Sequence, residues 1–251
     1  MSTERQEKIR FLLQEHGNLT VTELAQHFGV SEMTIRRDLK ALANLGLVQR
    51  EHGRARYPQI SHDARFITRL GEAEREKTSI GRLAADMVTE GEAIILDAGT
   101  TTLAMAQSLN KSCVVFTNSL PIANVLSLNE EINVLVAGGL VRGSTNALVG
   151  PMTRVCLEGF NAKKLFLAAT GVSIERGLST DNLLELDVKK AMLSTADEVI
   201  LLAHSEKFGK VYHHTFTHWN KVDTIVTDSG LPQEIHQELE NMGVKVLTAQ
   251  I

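Results

Sequence analysis

The feature that most constrains the fold is a series of short apolar runs along the last two thirds of the chain. Each run is rich in Val, Ile, Leu or Phe, and stretches with helical spacing separate the runs. Such runs are typical of strands buried on both faces, and intervening helices favour parallel pairing. Residues 77–251 are therefore predicted to form an α/β domain with a mostly parallel sheet. The predicted strands are residues 93–96, 114–116, 132–136, 165–168, 199–202, 224–226 and 244–247.

The first 57 residues have a different pattern, which predicts three helices followed by two short strands. Thr20 and Glu23 match the capping box S/T-x-x-E at the start of a second helix. Gly29 ends that helix and Ser31 caps a third, so a tight turn joins two helices. Strand-like pieces on either side of Gly53 resemble a wing. The pattern predicts an N-terminal α+β winged helix-turn-helix at 1–57, with 58–76 as a linker or connecting helix.

Composition excludes several classes of protein. The longest apolar runs fall well short of the roughly 18 residues that a membrane helix needs, and the charged N-terminus does not resemble a signal peptide. Cys113 and Cys156 stand in apolar contexts without a CxxC motif, so both are expected to be reduced core residues. Aromatic residues make up 4%, which argues against a stacking platform for single strands. We expect a cytoplasmic protein with no membrane partner.

Charge is divided unevenly along the chain. Residues 1–57 contain nine Lys/Arg and seven Asp/Glu, a net charge of +2, which leaves −6 for the rest because the total is −4. A basic head on an acidic body is typical of a polyanion-binding module fused to another domain. A solvated basic helix face is the common alternative, and charge alone does not separate the two.

The third helix predicts a DNA-contacting face. Ile35, Leu39 and Leu42 share one side at helical spacing, and basic residues occupy the other. Arg can read guanine in the major groove, while Lys and Thr side chains suit phosphates. The predicted DNA contacts are Ser31, Met33, Thr34, Arg36, Arg37, Lys40 and Asn44 in and before this helix, and Arg50, His52 and Arg54 in the wing.

Residues 24–42, with VSEMTIRRDL at 30–39, closely resemble the winged helix-turn-helix signature of the DeoR family of bacterial transcriptional repressors. The wing departs from the family pattern R-x-H-G-G-A, because Arg54 stands in place of its second glycine. The resemblance continues to the C-terminus and so covers nearly the whole chain. It implies that the head binds double-stranded operator DNA.

Residues 96–102, LDAGTTT, follow a predicted strand and precede a helix. Gly99 allows close backbone approach, and the threonines offer hydroxyls and amides at a helix N-terminus, which favours an anion. The segment matches neither GxxxxGK nor GxGxxG, and a capped strand–helix turn is the alternative interpretation. Other polar strand ends follow at 117–119, 137–139 and 169–171. Because the carboxyl ends of parallel strands converge, they predict one polar, phosphate-sized pocket.

The same segments resemble the family's sugar-phosphate effector domain, which is related in fold to ribose-5-phosphate isomerase and glucosamine-6-phosphate deaminase. Two positions depart from the family's D-x-S-K-F-G, since His204 replaces the usual Asp and Glu206 the usual Ser. The effector can therefore differ from the common sugar phosphates. The predicted effector contacts are Asp97, Gly99, Thr100, Thr101, Thr102, Thr117, Asn118, Gly138, Gly139, Glu185, Lys189 and Lys207.

Catalysis and metal binding are not expected. The related isomerases carry a D-G-A-D-E strand end, whereas the comparable residues 169–173 contain no carboxylate. Asp97 and Glu185 remain possible general bases, so the alternative is an isomerase- or deaminase-like enzyme with a DNA-binding head. On a strand, His214 and His218 would stand about 13 Å apart, too far for one tetrahedral ion. We predict no metal and no cofactor.

The sequence as a whole predicts a repressor of a sugar or sugar-acid catabolic operon. By resemblance, a small phosphorylated sugar or sugar-acid effector releases it from the operator. One head offers one recognition helix, so specific binding predicts a homo-oligomer, a dimer or tetramer. A ligand-independent architectural DNA binder is a third hypothesis.

Overall fold

The computed structural model of the chain describes residues 2–44, 48–51, 53–56 and 62–251. The chain divides into two units, residues 1–67 and 68–251, each with its own internal packing. Among the helices of the described residues, none combines the length and apolarity that crossing a membrane requires.

The first unit consists of helices around a small three-stranded sheet. Strand β3 is central and pairs antiparallel with β1 and β2. Strand β1 was not predicted, because its three residues include a single apolar side chain, Leu19, and overlap the capping box of α2. The elements are α1 Ser2–His16, β1 Asn18–Thr20, α2 Val21–Phe28, α3 Glu32–Asn44, β2 Gln49–Glu51, β3 Arg54–Arg56 and α4 His62–Gly71, the last of which ends in the second unit.

Local sequence signals account for the turn between α2 and α3. The amide of Glu23 donates to Oγ1 of Thr20 at 3.1 Å, and the Thr20 amide donates to Oε2 of Glu23 at 2.7 Å, which confirms the capping box. Gly29 ends α2 with φ of 62°, a left-handed conformation that glycine adopts readily. The helices then pack through buried side chains that include Ile9, Leu13, Leu24, Ile35, Leu39 and Leu42.

The second unit alternates helices and strands. Its first half contains α5 Glu74–Asp86, β4 Ala93–Leu96, α6 Thr100–Ser108, β5 Cys113–Thr117, α7 Leu120–Leu126, β6 Ile132–Val136, β7 Leu140–Arg142 and β8 Ala147–Val149. Its second half contains α8 Pro151–Leu157, β9 Ala162–Leu167, β10 Gly171–Ser173, β11 Gly177–Thr180, α9 Leu183–Leu193, β12 Ala196–Leu202, β13 His214–Thr217, β14 Thr224–Asp228, α10 Gln233–Asn241 and β15 Lys245–Ala249. Short 3-10 turns cover Ser205–Lys207 and Trp219–Lys221.

A seven-stranded sheet forms the centre of this unit, in the order β15-β14-β12-β9-β4-β5-β6. Every neighbouring pair is parallel, and each of the seven predicted strands overlaps an observed one, so the predicted α/β fold is confirmed. The chain builds outwards from β4 through β5 to β6, then crosses to β9 on the other side. The switch point between β4 and β9 opens the crevice in which such sheets bind ligands.

Two expectations need correction. The sequence did not predict the β7–β8 hairpin, whose strands have three residues each, or the antiparallel sheet β10-β11-β13, whose strands have three or four residues that include Gly, Ser or Thr. The expectation that both cysteines are core residues is wrong for Cys156. Cys113 lies in buried β5, whereas Cys156 is exposed because it occupies the outer side of the short helix α8.

Candidate functional site

Helix α3 presents the predicted basic face to solvent. Ile35, Leu39 and Leu42 are buried beneath it, which leaves the side chains of Met33, Arg36, Arg37 and Lys40 exposed. Ser31 caps the N-terminus of α3. Its Oγ accepts from the Thr34 amide at 3.3 Å and lies 2.9 Å from Oγ1 of Thr34. Helix α3 therefore has a capped N-terminus and an exposed cationic face.

The two arginines on this face are held differently. Nη2 of Arg36 donates to Oε2 of Glu32 at 3.2 Å, and Oε1 of Glu32 accepts from the Thr22 hydroxyl at 2.7 Å. Arg37 and Lys40 have neither hydrogen-bond nor ion-pair partners within the described part of the chain. Their charges are thus available to a ligand, whereas that of Arg36 is already shared with Glu32.

Asp38 follows the arginines but points away from solvent. Its Oδ2 lies 2.7 Å from Nε of Arg5, its Oδ1 accepts from Nε2 of Gln6 at 3.1 Å, and its side chain is buried. This acid ties α1 to α3 and so helps to fix the orientation of α3. Sequence reasoning missed Arg5, because the partner stands 33 positions away.

The wing is described only in part. Arg54 begins β3 and is exposed beside the Gly53 turn, which has φ of 74°. Three predicted DNA contacts lie outside what the structure describes, namely His52 and the side chains of Asn44 and Arg50.

At the switch point of the large sheet, a buried ion pair joins three elements. Asp97 follows β4, and its Oδ2 accepts from the amide of Ala168, just after β9, at 2.9 Å. Lys189 of α9 donates to the same Oδ2 and to the carbonyl oxygen of Ala168 at 2.8 Å. Burial raises the pKa of Asp97, and Lys189 opposes that shift. Two predicted effector contacts thus have each other as partners.

Both carboxylate oxygens of Glu185 also have hydrogen-bond partners. Its Oε1 accepts from Nη1 of Arg142 at 2.7 Å and from Oγ1 of Thr145 at 2.8 Å, while Oε2 accepts from Thr180 at 3.0 Å. Burial alone would raise the pKa of Glu185, but the charges of Lys189 and Arg142 hold it below its ordinary value. A charged carboxylate with these partners fixes the β7–β8 hairpin against α9 and is poorly suited to accept a proton.

The polar groups around Gly99 mostly hold the turn itself. Oδ1 of Asn118 accepts from the Ala98 amide at 3.0 Å, and its Nδ2 donates to the carbonyl oxygen of Leu148 at 3.1 Å. Oγ1 of Thr117 donates to the carbonyl oxygen of Leu96 at 2.7 Å, and Oγ1 of Thr102 to that of Asp97 at 2.6 Å. A Cβ on Gly99 would stand 2.6 Å from Cβ of Ala168, so glycine is required there.

Thr100 and Thr101 differ from these neighbours. Within the described residues their hydroxyls have no hydrogen-bond partner, and they begin helix α6. Amides of a helix's first turn lack acceptors within the helix, so this end favours an anion. The hydroxyls of Thr100 and Thr101 and the first amides of α6 therefore remain available to a ligand.

Gly138 and Gly139 serve packing in this structure. The Gly138 carbonyl oxygen accepts from Oγ1 of Thr153 at 2.7 Å. A Cβ on Gly139, whose φ is 144°, would stand 2.2 Å from the same Oγ1. Close approach of α8 therefore explains both glycines without a ligand.

Lys207 lies in the 3-10 turn after β12, at the carboxyl edge of the sheet. It forms no hydrogen bond or ion pair with any residue that the structure describes. Burial, together with the charges of Arg69, Lys77 and Lys210, lowers the pKa of its ammonium to about 8. An unpaired, partly buried ammonium among other cations is an electrostatic site for an anion.

Three buried polar atoms in this part of the second unit have no hydrogen-bond partner among the described residues. They are Nε of Arg69, Oγ of Ser144 and Nδ1 of His204. Burial and the charge of Lys207 lower the pKa of His204 to about 4, so its imidazole is neutral near pH 7. Sequence reasoning missed Arg69, Lys77 and Ser144, because they precede or follow the strand-end motifs and belong to no recognisable pattern.

Family models and curated relatives match most of the chain. A model described as the DeoR-like helix-turn-helix domain matches residues 5–61, and one described as the DeoR C terminal sensor domain matches residues 72–229. The HTH-type transcriptional regulator IolR of Bacillus subtilis is 32% identical over 92% of this chain and 93% of its own. The lactose phosphotransferase system repressor of Streptococcus mutans is 34% identical over 90% and 91%.

A further relative is the putative aga operon transcriptional repressor of Escherichia coli O157:H7, 30% identical over 98% of this chain and 93% of its own. Among solved structures, ribose 5-phosphate isomerase A from Methanocaldococcus jannaschii matches 54% of each chain with a TM-score of 0.40 and 17% identity. That structural similarity is too weak to support an argument about activity.

Proposed function

This chain belongs to the DeoR family of transcriptional regulators, and from that premise we propose that it represses a sugar or sugar-acid catabolic operon. A small phosphorylated sugar or sugar-acid effector binds its sensor domain and releases it from the operator. Relatives named as repressors of a lactose phosphotransferase system and of the aga operon support the link to sugar catabolism. As a DNA-binding regulator it acts in the cytoplasm.

DNA binding is assigned to residues 1–57. Arg37 and Lys40 of α3 are the principal contacts, because both are exposed and lack partners among the described residues. Thr34 and Ser31 reach phosphates from the start of α3, and Met33 and Arg36 border the same surface. Arg54 extends the contact from the wing, and Asn44, Arg50 and His52 retain the roles that the sequence predicts for them.

Effector binding is assigned to residues 77–251, with residues 58–76 connecting the two functions. The observation that carries this proposal is Lys207, an unpaired, partly buried ammonium whose neighbours Arg69 and Lys77 are also cationic. A phosphate is the complementary ligand, since it is a dianion with several acceptor oxygens. Thr100 and Thr101 offer hydroxyls and α6 amides to the rest of the effector.

The remaining predicted contacts act through other residues in this proposal. Asp97 and Lys189, Glu185, Asn118, Thr117 and Thr102 shape the crevice through their own hydrogen bonds. Gly99, Gly138 and Gly139 permit close packing there. Because both candidate bases, Asp97 and Glu185, are already bound by cations, we propose a sensor without catalytic activity.

Oligomerisation follows from the geometry of DNA reading. One α3 helix reads one half-site, and specific operators present two half-sites related by symmetry. The protein is therefore proposed to act as a homodimer or tetramer, which places two heads on one operator.

Fluorescence anisotropy on DNA from upstream of the protein's own gene tests the proposal. We expect tight, salt-sensitive binding that one member of a panel of sugar phosphates reverses at fixed salt. Binding no stronger than to random duplex would overturn the repressor assignment. Specific DNA binding that every sugar phosphate leaves unchanged would favour a ligand-independent architectural protein, and turnover of a sugar phosphate would favour the enzyme.

A further inference from the structure

Arg69 links the connecting helix to the effector site. It lies near the end of α4, the helix that begins in the first unit and ends in the second. Its Nη2 donates to the carbonyl oxygen of Ser144 in the β7–β8 hairpin at 2.8 Å, and its own carbonyl oxygen accepts from Nζ of Lys77 in α5. One residue thus joins α4, α5 and the hairpin.

The guanidinium of Arg69 is only partly used by the protein. Its Nε is buried and has no hydrogen-bond partner in the described part of the chain, and the same holds for the hydroxyl of neighbouring Ser144. Buried polar atoms in native proteins are nearly always paired, so these two atoms on hydrogen-bonded neighbours favour a ligand group that binds here. Because guanidinium only donates hydrogen bonds, that group must be an acceptor.

The charges around Arg69 specify which acceptor fits. Lys207 and Lys77 place two more cations beside it, and the positive charge of Arg69 contributes to the lowered pKa of Lys207. The carboxylates of Glu185 and Asp181 also act on Arg69, but both are paired with Arg142. The exposed carboxylate of Glu72 also acts on Lys207, but Arg69, Lys77 and Lys210 each act on it more strongly. Positive charge is therefore in excess around Lys207, and a phosphate dianion would neutralise it.

We propose that Arg69 binds the effector's phosphate together with Lys207, and that the bound phosphate thereby orders the C-terminal end of helix α4. The inference rests on the proposed effector site at Lys207 and adds the residue through which that site reaches the DNA-binding half of the chain. A ligand shifts an equilibrium only if it binds one state better than the other. A phosphate held by Arg69 favours the state in which the end of α4 is fixed.

Binding is tested on the full-length chain with inorganic phosphate, measured by calorimetry and thermal shift against chloride at equal ionic strength. Arg69→Gln should raise the Kd for phosphate about ten- to a hundredfold, as expected for lost hydrogen bonds to a charged group. Arg69→Lys keeps the charge with fewer donors and should lie between. Arg75→Gln is the matched control, because Arg75 is exposed on α5 and makes the same charge change.

The ordering of α4 is tested by amide hydrogen exchange. Phosphate should slow exchange across residues 62–71 in the wild type and in Arg75→Gln, and it should have no such effect in Arg69→Gln. Unchanged exchange in a phosphate-bound wild type would overturn the coupling. Wild-type Kd in Arg69→Gln would overturn the contact itself.

The two proposals fail differently. If Arg69→Gln binds phosphate normally but Lys207→Gln does not, the effector site stands and the inference about Arg69 is wrong. If the wild type gives no phosphate response, or if Lys207→Gln binds as well as the wild type, the effector site itself is overturned and the inference falls with it.

Discussion

Lys189 and Asp97 close the switch point of the seven-stranded sheet, because a single buried ammonium bonds both this carboxylate and the carbonyl oxygen of Ala168. The side chains are 5% and 2% exposed, so neither charge has water as an alternative partner. Removing one member leaves the other as a buried, unpaired charge, which is far costlier than removing both.

Lys189→Met should therefore lower the free energy of unfolding by about 3–5 kcal/mol. The double variant Asp97→Asn with Lys189→Met should recover part of that loss, because no buried charge remains. Urea denaturation of the three proteins measures the difference. A single variant within about 1 kcal/mol of the wild type would show that the pair is not structural.

Arg37→Ala should weaken operator binding by about 1–3 kcal/mol if the guanidinium reads a base. Arg176→Ala removes the same charge from an exposed turn of the sensor unit and serves as the control. Fluorescence anisotropy on operator and random duplex measures both affinities. Equal affinity of wild type and Arg37→Ala for the operator would exclude this role.

Sulfate binding should weaken as the pH rises above about 8, because the bound anion requires a protonated Lys207 and its pKa in the free protein is about 8. Sulfate is the probe because its own charge stays constant in that range. The Kd should increase by up to about tenfold per pH unit until the pKa of the complex is reached. Calorimetry from about pH 6.5 to 10 measures the profile.

The control for this profile is Lys207→Gln, which should bind sulfate weakly with little dependence on pH. A wild-type Kd that stays flat across the same range would mean that the anion binds away from Lys207.

Buried His204 should make the protein less stable in acid. Its pKa of about 4 lies below the ordinary value of 6.5, so the unfolded chain binds more protons between these values. Stability therefore rises with pH from about 4 to 6.5 and is lost as the pH falls through that window, by roughly 3 kcal/mol. Urea denaturation of wild type and His204→Gln across this range measures how the free energy of unfolding depends on pH. The difference between the two proteins at about pH 7.5, where His204 is neutral in both states, gives the packing cost of the substitution.

A wild type and a His204→Gln variant with parallel pH profiles would contradict a neutral buried imidazole at this position. The comparison of slopes is independent of any constant loss from repacking, since that loss is present at every pH.

Thr100→Val should abolish the effector response while leaving effector-free DNA binding intact, because its hydroxyl is unpaired among the described residues and borders the crevice. Thr102→Val makes the same chemical change, but there the hydroxyl holds the turn through the carbonyl oxygen of Asp97. It should lower stability by about 1–3 kcal/mol. Anisotropy with the sugar-phosphate panel and thermal unfolding separate the two effects. A retained response in Thr100→Val would reject Thr100 as an effector contact.

The features that the sequence predicts well are those set by neighbours in the chain. The capping box of Thr20 and Glu23, the buried face of α3 and the seven apolar strands each depend on spacing within a few residues. The order of those strands depends on packing between distant segments and could not be obtained from spacing alone.

The site was less predictable than the fold, because hydrogen-bond partners lie far apart in sequence. The motifs predicted that Asn118 and Glu185 lie in the crevice. They could not predict the hydrogen bonds of Asn118 with Ala98, 20 positions away, or of Glu185 with Arg142, 43 positions away. Arg69 had no signal at all, since a lone arginine before the first strand of the seven-stranded sheet resembles any solvated helix residue. What identifies it is a buried Nε with no hydrogen-bond partner among the described residues, together with a charge that acts on Lys207, and only the folded chain reveals these.

The bond between Arg69 and Ser144 has a consequence for exchanging heads among regulators of this kind. The sensor model begins at residue 72, so Arg69 lies outside the module that similarity defines. A chimaera joined at residue 72 would keep every strand of the seven-stranded sheet. Its residue at position 69, which bonds Ser144 in this chain, would however come from the protein that supplies the DNA-binding head. Recombination that keeps this bond has to cut ahead of Arg69, and a cut ahead of α4 keeps the whole helix with the sensor.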